Sequence, residues 1–216
     1  MIGDILMINE NHRKASRQCA ELLLPYLEDT QRRYAVSIAG ESGAGKSEIA
    51  AALAADLNSL DFRTVIVQQD DYFVLPPRSN AKKREEDIGW VGPPEVRLDL
   101  LDGHIRRFIT GAKMLKKPLV LFSENKISSE TLNLDGFNIM IVEGTYTTLL
   151  KHIHFSIFID RDYNDTREDR KRRSRETQDN HLETILGIEH DIILRHRQQA
   201  DIIVTRDFKA IKNPFR

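Results

Sequence analysis

Gly40-Glu41-Ser42-Gly43-Ala44-Gly45-Lys46-Ser47 is the stretch that decides the fold. It matches G-x-x-x-x-G-K-[ST], and the chemistry needs that spacing. Glycines let the backbone curl so that successive N–H groups point at one anion. A helix starting near Lys46 adds its positive N-terminal end to the same phosphate. Lys46 can reach the β- and γ-phosphates of a nucleotide, and the Ser47 hydroxyl can ligate Mg2+. The context fits. Residues 34–39 form a short apolar run of strand formers, and 46–60 read as an alanine-rich helix. A flexible turn with an accidental lysine would need neither neighbour. All eight residues, Gly40, Glu41, Ser42, Gly43, Ala44, Gly45, Lys46 and Ser47, are expected to bind nucleotide.

Outward from this loop, buried strands are expected at 64–67, 119–122, 137–142, 155–159 and 201–204. An opening helix is expected over 11–29, where Ala15, Cys19, Leu22, Leu23 and Tyr26 recur at helical spacing and Pro25 should kink or end it. Further helices are expected at 97–109, 145–151, 162–176 and 182–198. Between residues 70 and 95 the sequence is polar and proline-rich, as in a long functional loop. Apolar strands alternating with helices indicate an α/β fold with a mainly parallel sheet covered on both faces.

Composition narrows the function classes. The 216 residues carry 32 Lys+Arg against 33 Asp+Glu, which argues against a generally cationic nucleic-acid binder. The length suits a single domain over 1–216. One cysteine, Cys19, can form neither an internal disulfide nor a cysteine-rich zinc site and fits a reducing compartment. With no signal-peptide pattern and no apolar run of membrane-spanning length, a cytoplasmic protein is expected.

A phosphate-binding loop serves switches, motors and kinases alike. Asn125-Lys126-Ile127-Ser128 faintly resembles a guanine-recognition N-K-x-D element, but Ser128 stands where the carboxylate should be. The strand at 137–142 ends in Glu143-Gly144 and not in D-x-x-G. Asp70 and Asp71 close the second strand, beside Tyr72 and Phe73. In a parallel sheet the carboxyl ends of the strands border the ligand crevice. A carboxylate there can accept the proton of an attacking hydroxyl, or it can simply end the strand in an Asx turn. Glu143 is placed to hold Mg2+ or its water.

Between Tyr163 and Leu182 eighteen consecutive residues lack an apolar side chain and hold eleven charged ones. At helical angles Arg167, Arg170, Lys171 and Arg175 share a broad face. A helix polar all round cannot dock in a core. A basic lid over about 162–181, a solvated helix laced with ion pairs and a nucleic-acid patch all fit this stretch; in a phosphotransferase a lid would exclude water and neutralise charge. His152 and His154 lack a third metal ligand at recognisable spacing, and Glu189-His190-Asp191 reads as the polar edge of a helix.

In this order, these pieces resemble the uridine kinase/phosphoribulokinase family of P-loop kinases. The resemblance covers about 34–207. It rests on the Gly40–Ser47 loop, Gln69-Asp70-Asp71-Tyr72-Phe73, Val142-Glu143-Gly144, the arginine-rich segment after Phe158-Ile159-Asp160, and Ala200-Asp201-Ile202-Ile203-Val204. It implies a five-stranded parallel sheet with a lid, and ATP- and Mg2+-dependent phosphorylation of a hydroxyl. Asp70 then matches the general base, Lys46 and Ser47 the phosphate and metal residues, and Glu143 a metal partner. The lid arginines match within 167–175: Arg170 and Arg173 are assigned to catalysis and Arg167 to the acceptor, with Tyr72 and Trp90 beside it.

The substrate elements depart from the family pattern. Where uridine kinases carry H-P-D-A-F-D, this chain has Gly92-Pro93-Pro94-Glu95-Val96-Arg97; where they carry Y-D-F, it has Val120-Leu121-Phe122. Trp90, Arg78 and Glu95 are candidates for a different acceptor pocket. The expected activity is phosphoryl transfer from ATP to a small-molecule alcohol, a nucleoside first, another hydroxylated metabolite or nucleotide-sugar second. A regulatory nucleotide- or nucleic-acid-binding protein is the competing class. No nucleic-acid or membrane partner is expected, and self-association into a homo-oligomer is compatible with the sequence.

Overall fold

The computed structural model describes residues 6–27, 32–173 and 180–216, with backbone alone at 171–173 and 180. Strand β1 (Tyr34–Gly40) leads through the glycine-rich loop into helix α2 (Lys46–Asn58), then β2 (Thr64–Gln68). A 3-10 turn (Gln69–Tyr72) and helix α3 (Pro77–Glu86) precede α4 (Leu98–Ile109). A hairpin of β3 (Met114–Leu121) and β4 (Lys126–Asn133) is followed by β5 (Ile139–Glu143) and β6 (Phe155–Ile159). After α5 (Arg167–Arg173) and α6 (Asn180–Ile193), the short β7 (Ile202–Val204) and β8 (Ala210–Lys212) close the chain. Helix α1 (Glu10–Leu27) opens it and runs through Pro25 for two further residues.

The main sheet has six strands in the order β2-β5-β1-β6-β7-β8, the first five parallel and β8 antiparallel at the edge. It is thus one strand wider than the family resemblance implies. β1 sits between β5 and β6, so the chain turns to opposite sides of it, and a crevice opens at its carboxyl end. Residue alternation feeds two cores. Val36, Ile38, Ile139 and Ile141 pack with α1 and α2, whereas Ala35, Met140 and Val142 pack with Tyr72, Leu101, Ile105, Phe108 and Tyr146. Helix α1 supplies Ala15, Cys19, Leu23 and Leu27, all buried, and Ser16 Oγ donates to Asp56 Oδ2 on α2 at 2.6 Å.

Three further expectations change. The supposed loop at 70–95 contains α3, which has no apolar stripe; Asn80 is its one buried residue. Pro77 in its first turn and the pairs Lys82–Glu86 and Lys83–Asp87 favour the helix instead. The strand expected at 119–122 is the end of β3, which pairs with β4 in a separate two-stranded sheet. The helix expected at 145–151 is only a 3-10 turn at Thr147–Leu149. No helix among the described residues is long and apolar enough to cross a membrane.

Candidate active site

The glycine-rich loop connects buried β1 to the N-terminus of α2. Gly43 and Gly45 take φ of 78° and 98°, in the left-handed region. Each is also crowded: a Cβ on Gly43 would lie 2.8 Å from Arg170 Cγ, and one on Gly45 3.0 Å from His12 Nε2. Lys46 Nζ donates to the Glu41 carbonyl at 2.8 Å, back across the loop. Ser47 Oγ donates to Glu143 Oε1 at 3.0 Å, and Gln68 Nε2 donates to the same oxygen at 3.1 Å. Glu143, at the end of β5, is buried and not the exposed strand-end charge that an isolated strand end would give. Burial and the nearby Asp70 push its carboxyl up to about 6, against the opposing pull of Lys46, Ser47 and Gln68.

The structure separates the two adjacent aspartates. Asp71 is buried, and Lys117 Nζ meets its Oδ2 at 2.5 Å while the Val120 N–H donates to Oδ1 at 3.0 Å. It fastens the hairpin to the 3-10 turn. Asp70 faces the crevice and lines a cavity of about 440 Å3 with Lys46, Ser47 and Glu143. Burial raises its pKa first, Lys46 lowers it, and Asp71 raises it again. Two oxygen donors, Ser47 and Glu143, with Asp70 close by, suit a hard cation held largely by phosphate and water. No group of three or more His, Cys, Asp or Glu among the described residues could hold a metal by itself.

The arginine-rich segment reaches the loop through its first turn. Thr166 Oγ1 donates to the Ser42 carbonyl at 3.0 Å, and Arg170 Nη1 donates to Thr166 Oγ1 at 2.6 Å and to the Tyr163 carbonyl at 2.5 Å. Arg170 lines the cavity and is buried. Arg167 is exposed, its Nε 3.8 Å from Glu183, and is not part of the lining. Arg173 lies in α5 without a described side chain, and Arg175 lies outside the described residues.

Residues 35–210 match the model of the Phosphoribulokinase / Uridine kinase family. The chain belongs to this family. It is 28% identical over 182 residues to a uridine kinase of Lactobacillus helveticus, covering 78% of this chain and 84% of that one. A chain described as "a Possible Uridine Kinase" from Bacillus stearothermophilus superposes with a TM-score of 0.62 at 18% identity, over 88% of this chain and 97% of that one. D-glycerate 3-kinase from Cryptococcus neoformans does so with 0.62 at 13% identity, over 91% and 98%. These two structures show the fold, that of a P-loop kinase.

Other residues singled out from the family pattern are placed elsewhere. Tyr72 is fully buried, its hydroxyl 2.8 Å from His104 Nδ1. Trp90 is not a lining residue of the cavity; its Nε1 donates to Oδ1 of Asn80, which is, at 2.9 Å. Arg78 binds the Ser123 carbonyl at 3.0 Å, and its N–H donates to Asn125 Oδ1 at 2.8 Å. The faint N-K-x-D element thus begins in the hairpin turn, with Asn125 at φ 48°, and continues as the first three residues of β4. Asp102 Oδ2 lies 2.7 Å from His152 Nδ1, and His154 Nδ1 accepts the Ala35 N–H at 3.0 Å, so neither histidine is arranged for a metal. Residues read as a polar helix edge reach the site instead. His190 Nδ1 lies 2.6 Å from Glu41 Oε1 of the phosphate loop, and Glu189 Oε1 is 3.2 Å from Arg84 Nη2. Both pairings join residues more than a hundred positions apart, which no local pattern signals.

Proposed function

We propose that this protein transfers the γ-phosphate of ATP to a hydroxyl of a small molecule, with a nucleoside as the first acceptor to test. The observation that carries it is the convergence of Lys46, Ser47, Glu143 and Asp70 on one cavity. The loop's N–H groups and the α2 N-terminus bind the phosphates, and Lys46, turning from the Glu41 carbonyl, neutralises the γ-phosphate. Mg2+, held through Ser47 and Glu143, would offset charge on the β- and γ-phosphates. Asp70 accepts the acceptor's hydroxyl proton as the hydroxyl oxygen bonds to the γ-phosphorus. The bond to the bridging oxygen breaks, and ADP leaves. Arg170 lies beside Gly43, where it can meet charge spreading over the transferred group. The family and its named uridine kinase relatives support this reading. A screen of nucleosides, sugars and vitamin alcohols for acceptor-dependent ADP release tests it. ATP consumption that no acceptor accelerates, together with salt-sensitive nucleic-acid binding, would favour the regulatory class instead.

A further inference from the structure

Beyond the phosphate-binding groups, much of the cavity wall comes from two helix faces. Asn80, Arg84 and Glu85 contribute from α3; Leu182, Leu186 and Glu189 contribute from α6 at three- and four-residue steps. Arg84 ties these faces together. Its Nε and Nη2 donate to Glu95 Oε2 and Oε1 at 2.6 and 3.0 Å, and Nη2 also reaches Glu189 Oε1 at 3.2 Å. Arg84, Glu95 and Glu189 side chains are 12, 0 and 10% exposed, so these charges meet with little water between them. Glu95 is fixed from behind by Asn80 Nδ2 and by the Gly92 N–H at 2.7 Å.

The charge balance follows. Among the described residues the Lys and Arg side chains lining the cavity are Lys46, Arg84 and Arg170. Lys46 and Arg170 belong to the phosphate loop and its cover. Arg84 pairs with Glu95 and Glu189, with Glu85 adjacent in sequence on the same wall. A phosphate or carboxylate on the acceptor would add a negative charge where negative charge already predominates, at a substantial desolvation cost. A hydroxyl can instead donate to Glu189, and apolar surface can rest on Phe73, Phe122 and Leu186.

We propose that this clasp selects an uncharged, hydroxyl-bearing acceptor over phosphorylated or carboxylated ones, and that Glu189 is a specificity-determining residue. By sharing the Arg84 guanidinium with Glu95, Glu189 keeps that guanidinium from pairing with an anionic acceptor. The inference rests on the kinase reading, and matched acceptors separate the two. Uridine, D-ribulose and glycerol are compared with uridine 3′-monophosphate, D-ribulose 5-phosphate and D-glycerate, each anion keeping a primary hydroxyl, in acceptor-dependent ADP release. A neutral acceptor is expected to exceed its anionic partner in kcat/KM by at least about tenfold. Glu189→Gln, which takes the Glu189 carboxylate away from the guanidinium, is expected to narrow that ratio by about fivefold. If this variant melts below the assay temperature, Glu189→Asp, whose shorter arm withdraws from Arg84, carries the same test. An anionic partner used equally well by the unaltered protein overturns the inference while the kinase reading stands. An unchanged ratio in a folded Glu189 variant overturns the role of Glu189. If none of the six, nor any acceptor in the wider screen, stimulates ADP release, the kinase reading falls and this inference falls with it.

Discussion

Replacing each of the two neighbouring aspartates by asparagine should damage the protein in opposite ways. Asp71 and Lys117 are a contact pair whose side chains are 3 and 4% exposed. Removing one member of a buried ion pair costs about 3–5 kcal/mol. Here Lys117 keeps Glu130 at 2.8 Å, and asparagine can still accept the Val120 N–H, so about 2–3 kcal/mol is expected for Asp71→Asn. At about 2–4 °C per kcal/mol for a chain of this size, the melting temperature should fall by about 5–10 °C. Well below that temperature turnover should persist, with a weakened KM for the acceptor because Val120 and Phe122 line the cavity. Asp70→Asn removes a carboxylate that has Asp71 and Glu143 as electrostatic neighbours, so stability should hold or rise slightly. Turnover should drop ~10²–10⁴-fold, the range for loss of a general base. Thermal melts alongside coupled ADP release separate the two variants. The assignment fails if Asp71→Asn abolishes turnover without lowering the melting point while Asp70→Asn remains active.

Three further predictions concern Lys46, Glu143 and Cys19. Lys46→Ala should weaken both nucleotide binding and transfer; calorimetry showing undiminished Mg-ATP affinity would contradict the loop assignment. Glu143, raised to about 6, holds its proton more tightly folded than unfolded, so its stabilising effect is full below its ordinary pKa near 4.5 and is lost as pH rises through about 6. Melts of the nucleotide-free protein across that window should show the decline, and Glu143→Gln should flatten it. Cys19 is buried, and burial pushes its thiol up to about 12, so a thiol reagent should react with it only after unfolding. Rapid labelling under native conditions would place α1 away from α2.

The sequence made the centre of the fold legible because each signal there is local. The octet at 40–47 joins an apolar run to an alanine-rich helix, β5 is apolar up to Glu143, β6 is apolar but for Ser156, and β7 is apolar throughout. Helix α3 was illegible because its ten residues bury only Asn80, leaving no periodicity to detect. Strand β4 has no buried residue and only Ile127 and Leu132 as apolar side chains, and β8 is three residues long, so neither resembles a core strand. In the site, Lys46 and Ser47 belong to the loop motif at the start of α2, and Asp70 and Glu143 follow or end strands, so all four could be named in advance. Arg84, Glu189 and His190 could not, because their partners are supplied by tertiary packing of helices distant in sequence.

The β3–β4 hairpin has a consequence for how such an enzyme can diversify. It forms its own sheet and is pinned beside the cavity by Asp71, while its turn holds the start of α3 through Asn125 and the Ser123 carbonyl. Hairpin and helix therefore form one cartridge carrying part of the cavity wall, seated on a chassis that keeps the glycine-rich loop, with Arg84 latching the helix to Glu189 of α6. Grafting within the cartridge is expected to change the cavity lining while the strand order and the glycine-rich loop stay intact, provided the Asp71 socket and the Arg84–Glu189 contact are preserved.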